Sequence, residues 1–205
     1  MEDVKLIKNS DEKQIKRSIV ECMRALYLRR LVTSLSGNIS ARVPGSKFVW
    51  ITPTGLTKSK LKEEDLVKID LDGKIVEGSN MPSKEWRLHV EILKTREDVN
   101  AVVHAHNPFT MGVTMSSKKF KPITAEASTI LKEVAILPFK RPGSEELGKM
   151  VGKNIDNRNV LILRRHGVIG IGSDLDEARA VVEAIEEDAI VQTVMRIFHG
   201  SVSRH

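Results

Sequence analysis

The chain has little of several things. Its 205 residues include one cysteine, one tyrosine and two tryptophans, and aromatics make up only 4%. A bilayer crossing needs roughly 20 consecutive apolar residues, and the longest apolar stretches here, such as Val99 to Val103 with Asn100 inside it, fall far short. The N-terminus is charged rather than signal-like, so the sequence predicts neither a membrane span nor a secretory leader. A lone Cys22 has no intrachain disulfide partner and suits a reducing cytoplasm. With no Pro/Gly/Ser-rich linker, repeat or low-complexity tract, one soluble domain over residues 1–205 is expected, long enough to bury a sizeable core.

A strong charge of one sign is also missing. Lys and Arg number 33 against 27 Asp and Glu, a net +6, and the pI is near 9.4. That balance admits an anionic partner. The cations are interleaved with acids, as from Lys58 to Asp65, and no aromatic-studded basic strand is present to stack bases. A nucleic-acid partner is not expected.

The patterning that is present predicts a mixed α/β chain. Ser10 can cap a first helix running to about Leu31, with Ile15, Ile19, Cys22 and Leu26 at helical spacing. Short strands follow at Asn38 to Val43, Phe48 to Thr52 and Leu66 to Asp70, separated by Pro/Gly turns. Lys84 to Arg96 reads as a helix with Trp86, Val90, Leu93 and His89 inward, leading into a strand at Ala101 to His106 and a short helix from Asn107-Pro108. A strand near Val134 to Leu137, a helix from Ser144 to Ile155, a hairpin of Val160 to Leu163 with Val168 to Ile171, and a helix from Asp174 to about Phe198 complete the pattern. The expected architecture is a mainly antiparallel central sheet covered by helices.

His104-Ala105-His106 closes an apolar strand, and residues i and i+2 of a strand point to the same side. His166 ends a second apolar strand and is followed by Gly167, which permits a tight turn. Three neutral imidazoles with one open position form the shell of a catalytic zinc, though histidines at strand ends also serve as ordinary backbone hydrogen-bonding groups. Glu85 and His89, four apart on one helical face, are a base, further ligands or a structural pair. His199 and His205 read as surface residues of a polar tail.

Three small polar turns offer anion sites: Ser36-Gly37-Asn38-Ile39-Ser40, Thr52-Pro53-Thr54-Gly55, and Pro82-Ser83-Lys84-Glu85 at a helix start. Each alone is an ordinary turn or cap. Beside three histidines, they suggest a metal next to a phosphate pocket and a phosphorylated substrate whose oxygens the metal can polarise.

Together with Ile51-Thr52-Pro53-Thr54-Gly55, Asp65-Leu66-Val67, Asp70-Leu71-Asp72-Gly73, Pro82 to His89, His104-Ala105-His106 and His166-Gly167, the chain from about Val20 to Ile197 resembles the class II aldolase/adducin family. Within it, the branch acting on L-fuculose 1-phosphate is the most similar. The resemblance implies a three-layer α/β/α sandwich and a homotetramer with active sites at subunit interfaces. It also implies one Zn2+ per subunit on His104, His106 and His166. Glu85 would lie beside the metal at rest and act as catalytic base once substrate displaces it. Gly37, Asn38, Thr54, Gly55 and Ser83 match phosphate-binding positions. Lys84 stands where a second serine is common, so it adds charge to the pocket or points away. The implied reaction is cleavage of a ketose 1-phosphate, through a metal-stabilised enediolate, to dihydroxyacetone phosphate and an aldehyde such as L-lactaldehyde, in the cytoplasm. The same frame also serves methylthioribulose-1-phosphate dehydration and a non-catalytic adducin-like module, which lacks the metal histidines. One departure is the absence of the tyrosine that the bacterial fuculose enzyme lends to its neighbour. The stretch Pro122 to Glu126 has none, leaving Glu126 or a water as candidate donor, while Tyr27 reads as structural.

Overall fold

In the computed structural model, which describes residues 2–117 and 119–202 and side chains for 11–117 and 119–198, eight strands form one sheet between two helical layers. The chain runs α1 (Glu2–Leu28), β1 (Asn38–Ala41), β2 (Phe48–Ile51), β3 (Val67–Asp70), β4 (Ile75–Glu77), α2 (Trp86–Thr95) and β5 (Ala101–Ala105). It continues with α3 (Pro108–Ser116), α4 (Ala125–Ile130), β6 (Ala135–Leu137), α5 (Glu145–Asn154), β7 (Val160–Leu163), β8 (Gly167–Gly172) and α6 (Leu175–Val202). Spatial order is β4-β3-β2-β1-β5-β8-β7-β6. Every neighbouring pair is antiparallel except β6 with β7.

Alternation along the strands sends side chains to opposite faces. Ile39, Val103, Ile162 and Val168 pack with α1, α3, α4 and α6, whereas Ile51, Ile69, Val102, Leu161 and Ile169 pack with α2 and α5. The expected α/β/α sandwich with a mainly antiparallel sheet is therefore the observed fold.

Both ends of α1 differ from the sequence reading. α1 begins well before Ser10, because the Lys/Glu-containing stretch from Glu2 onward has adequate helix propensity and continues the same helix. At its other end α1 stops at Leu28 rather than Leu31. Arg30 turns left-handed (φ 60°), the Leu31 N–H donates to the Leu26 carbonyl at 2.9 Å, and the Arg30 N–H donates to that of Tyr27 at 3.0 Å. This is a Schellman stop, with Leu26 and Leu31 buried in the same cluster. Its consequence lies further on: the freed Leu31 carbonyl accepts the His106 N–H at 2.8 Å and fixes the backbone just beyond β5.

β4, α4 and the parallel attachment of β6 have no counterpart in the sequence reading. The Asp174 cap of α6 is as expected, its Oδ1 accepting the Glu177 N–H at 2.8 Å. His199 and His205 fall outside the described side chains.

Candidate metal centre

Glu85 occupies the N-cap position of α2, yet its carboxylate caps nothing. It reaches instead toward the ends of β5 and β8. Oε2 lies 3.3 Å from His104 Nε2, and Oε1 lies 3.2 Å from His166 Nε2. The two imidazole Nε2 atoms are 3.3 Å apart, and the His106 ring centroid is 5.1 Å from that of His104 and 5.4 Å from that of His166. One ligand atom from each of Glu85, His104, His106 and His166 lies within 4.8 Å of the others.

Local geometry explains the convergence. β5 pairs with β8 in the register His104↔Ile169 and Ala105↔Val168, which carries His104 to the end of the strand pair. His166 sits in the three-residue turn between β7 and β8, with Arg165 left-handed (φ 61°) and the His166 N–H donating to the Leu163 carbonyl at 3.0 Å. Gly167 does not have the turn-permitting role read from the sequence. Its backbone is not left-handed; a Cβ there would stand 2.2 Å from the Ala105 carbonyl oxygen and 3.1 Å from His104 Cε1. The glycine is required by the close approach of β8 to β5 at the metal ligands.

The donor set fits a cation. The His104 Nδ1 must carry a proton, since it lies 2.9 Å from the Val168 carbonyl, which only accepts, so Nε2 is the nitrogen left to offer a lone pair to a metal. His106 Nε2 and Glu85 Oε1 are buried without a hydrogen-bond partner. Buried polar atoms are rarely left so. Imidazole and carboxylate donors aimed at one point are satisfied together by a divalent metal. Burial pushes the His106 pKa down to about 3, with the charges of His104 and His166 adding to the effect. Burial raises the Glu85 carboxyl, but His104 and His166 outweigh it and hold the group well below the usual carboxylate range. Burial likewise lowers His104, and the facing Glu85 reverses this and leaves it raised.

The three small polar turns meet beside this cluster. The Ser83 N–H donates to the Thr52 carbonyl and the Thr54 N–H to that of Met81, both at 3.0 Å, which zips the second turn to the third. Ser83 Oγ accepts the Glu85 N–H at 3.3 Å, leaving its own proton for a ligand. The Asn38 amide is largely committed: Nδ2 donates to Glu85 Oε2 at 2.9 Å, and Oδ1 lies 2.5 Å from His89 Nε2. One amide proton remains. Gly37, left-handed at φ 77°, sits where a Cβ would meet Val32 at 2.3 Å. Gly55 is exposed. Thr54, Ser83 and the exposed Lys84 line a cavity of about 540 Å3 with Arg87, Arg141 and Ser144. Among the described residues, no carboxylate lines it.

Several participants were not read from the sequence. Lys58 is buried, donates Nζ to the Pro53 carbonyl at 3.1 Å and bonds through its backbone N–H to the Ser34 carbonyl at 2.9 Å, tying the segment just before the first turn to the second. Burial lowers its pKa. Arg87 and Arg141 join the cavity from α2 and from the loop before α5. A lone basic residue inside an interleaved charge run gives no signal of such a place. Glu126 stands exposed in the first turn of α4, and among the described residues no hydrogen bond or ion pair joins it to the cluster. Tyr27 packs against the core from α1.

Residues 17–193 match the family described as Class II Aldolase and Adducin N-terminal domain. The chain belongs to this family. It is 34% identical, over 86% of its length and 94% of the relative's, to an L-fuculose phosphate aldolase of Methanococcus maripaludis. It is 28% identical, over 85% of its length and 84% of the relative's, to a 3-oxo-tetronate 4-phosphate decarboxylase of Haemophilus influenzae. Among solved structures, the crystal structure of L-fuculose-1-phosphate aldolase from Thermus thermophilus superposes with a TM-score of 0.82 at 27% identity, covering 92% of this chain and 97% of that one. Class II aldolase membership and the buried Glu/His cluster make this a metal-dependent lyase. His104, His106 and His166 converge with Glu85.

Proposed function

We propose that this chain is a zinc-dependent aldolase that cleaves L-fuculose 1-phosphate, or a similar ketose 1-phosphate, to dihydroxyacetone phosphate and an aldehyde such as L-lactaldehyde. The observation that carries the proposal is a carboxylate placed between two imidazole Nε2 atoms at 3.2 and 3.3 Å beside a carboxylate-free cationic cavity. His104, His106 and His166 would hold the zinc, with Glu85 as a fourth ligand at rest. A bound divalent ion supplies Lewis acidity toward the carbonyl and adjacent hydroxyl oxygens of the substrate.

The remaining chemistry belongs to the chain. Gly37, Asn38, Thr54, Gly55, Ser83 and Lys84 would take the phosphate, anchoring one end of the substrate. Glu85, kept ionised by its two histidine neighbours, is placed to remove the proton on the carbon beside the carbonyl in the condensation direction. In cleavage the substrate hydroxyl gives up its proton as the carbon–carbon bond breaks to form the aldehyde, and Glu85, having taken up a proton, delivers it to the same carbon. No lysine nucleophile is required. The single catalytic domain over residues 1–205 would act in the cytoplasm, as a homotetramer whose neighbouring subunits complete each site.

The experiment follows dihydroxyacetone phosphate release from L-fuculose 1-phosphate by zinc-loaded and chelator-treated protein. Release that depends on metal is expected. No triose phosphate from zinc-loaded protein overturns the aldolase reading and points to dehydration. The decarboxylase relative favours a second reading on the same site: carbon dioxide release from a phosphorylated 3-oxo acid, where the carbanion left behind has the same enolate character. Carbon dioxide evolution without aldehyde would select it.

A further inference from the structure

A buried polar chain runs into the metal cluster from behind. Ser40 Oγ lies 2.8 Å from His89 Nδ1, His89 Nε2 lies 2.5 Å from Asn38 Oδ1, and Asn38 Nδ2 donates to Glu85 Oε2 at 2.9 Å. Ser40 and His89 are fully buried and Asn38 is 4% exposed. The other fully covered positions of α2, namely Leu88, Val90, Ile92 and Leu93, are apolar. An imidazole in that row gives up its hydration, a cost that a leucine would avoid.

Donor and acceptor counting admits one arrangement of the chain. An ionised Glu85 only accepts, so the Asn38 amide must turn its NH2 to Oε2 and its carbonyl to His89. That carbonyl needs a donor, so His89 Nε2 carries the proton. Its Nδ1 is then bare and accepts the Ser40 hydroxyl. Each link fixes the next, and the last fixes the carboxylate. A reversed Asn38 amide would set its oxygen against Glu85 Oε2, acceptor on acceptor.

We propose that His89 is a positioning residue: it locks the orientation of the Asn38 amide and thereby aims Glu85 at the metal. The inference rests on the metal-centre reading above but not on the reaction assigned to it. Partners of this outer kind change metal affinity by about 10–100-fold when removed.

The test is a zinc titration by competitive chelation on the intact protein, with the cobalt(II) absorption spectrum as a second readout. His89→Leu and Asn38→Ala should each weaken zinc binding by about 10–100-fold, and the double variant should be no worse than the poorer single, because both break one path. His89→Gln places an amide N–H near the position of Nε2 and should recover most of the affinity. His89→Asn, too short to reach Asn38, should not. These two polar variants keep the test open if His89→Leu does not fold. The cobalt spectrum should shift with His89→Asn and remain as in the wild type with His89→Gln. Wild-type zinc affinity in His89→Asn, losses that multiply in the double variant, or equal behaviour of the Gln and Asn variants overturns the inference. A protein that shows the expected zinc pattern and releases no dihydroxyacetone phosphate keeps the inference and loses the aldolase reading.

Discussion

As the proposed base, Glu85 needs two properties that compete: it must stay ionised while buried, and it must be free to take a proton from carbon. The imidazoles on either side supply the first, and its lack of a capping duty on α2 supplies the second. Glu85→Gln keeps the shape and removes the base, so zinc should bind more weakly but still on the three histidines, and at saturating zinc kcat should fall by about 10²–10⁴-fold, checked by metal analysis beside steady-state kinetics. His106→Ala should lose both metal and turnover. The buried imidazoles also set a pH dependence for chelator-treated protein. His89 is lowered by burial to about 3, as is His106, against an ordinary value of 6.5. The unfolded chain therefore binds more protons than the folded one between pH 6.5 and 3, and stability falls as pH drops through that window. His104 is raised, so its contribution is present below pH 6.5 and is lost as pH climbs through its higher folded value. Denaturant midpoints measured across pH 4 to 9 on metal-free protein should show a maximum near neutrality and a steep acid limb.

The elements that carry the site were the legible ones. β5 is an apolar run that carries His104, β7 is an apolar run that stops at Leu163, three residues before His166, and α2 buries His89, Val90 and Leu93 as expected while Trp86 is only half-buried. β4 lies at the sheet edge with Ile75, Val76 and Glu77 all exposed, and an unburied three-residue strand has no hydrophobic period to read. α4 is six residues long and defined by the Thr124 cap, whose Oγ1 accepts the Ala127 N–H at 3.2 Å, more than by composition. The inner polar chain was half legible. Glu85 and His89 share a helix face in the sequence, but the register that brings Ser40 and Asn38 under them is a property of β1 pairing with β5. Gly167 is the element-scale test of that packing. Gly167→Ala presses a Cβ into the Ala105 carbonyl, and backbone cannot yield as a flexible side chain does. It should cost about 1–3 kcal/mol in urea unfolding, as overpacking does, and weaken zinc binding because β5 and β8 separate where two ligands sit.

At the scale of the whole molecule, α6 leaves Val191, Val194, Met195 and Phe198 between 40% and 67% exposed, with Phe109 and Met115 of α3 also exposed. An exposed apolar face of this kind marks an interaction surface. For the proposed homotetramer, light scattering should return about four times the 22.9 kDa chain mass. The ligands of the cluster are also far apart in sequence: Glu85 leads α2, His104 lies in β5 with His106 just beyond it, and His166 waits for the hairpin of β7 and β8. An unfolded or half-made chain holds the donors but not the cradle. Ion capture is therefore a late event, reporting that the sheet has closed around β5, and every bound ion biases the equilibrium toward the closed chain. At a free metal concentration a thousandfold above the dissociation constant, that bias is about 4 kcal/mol, so the ion that serves the chemistry also acts as the final fastener of the fold.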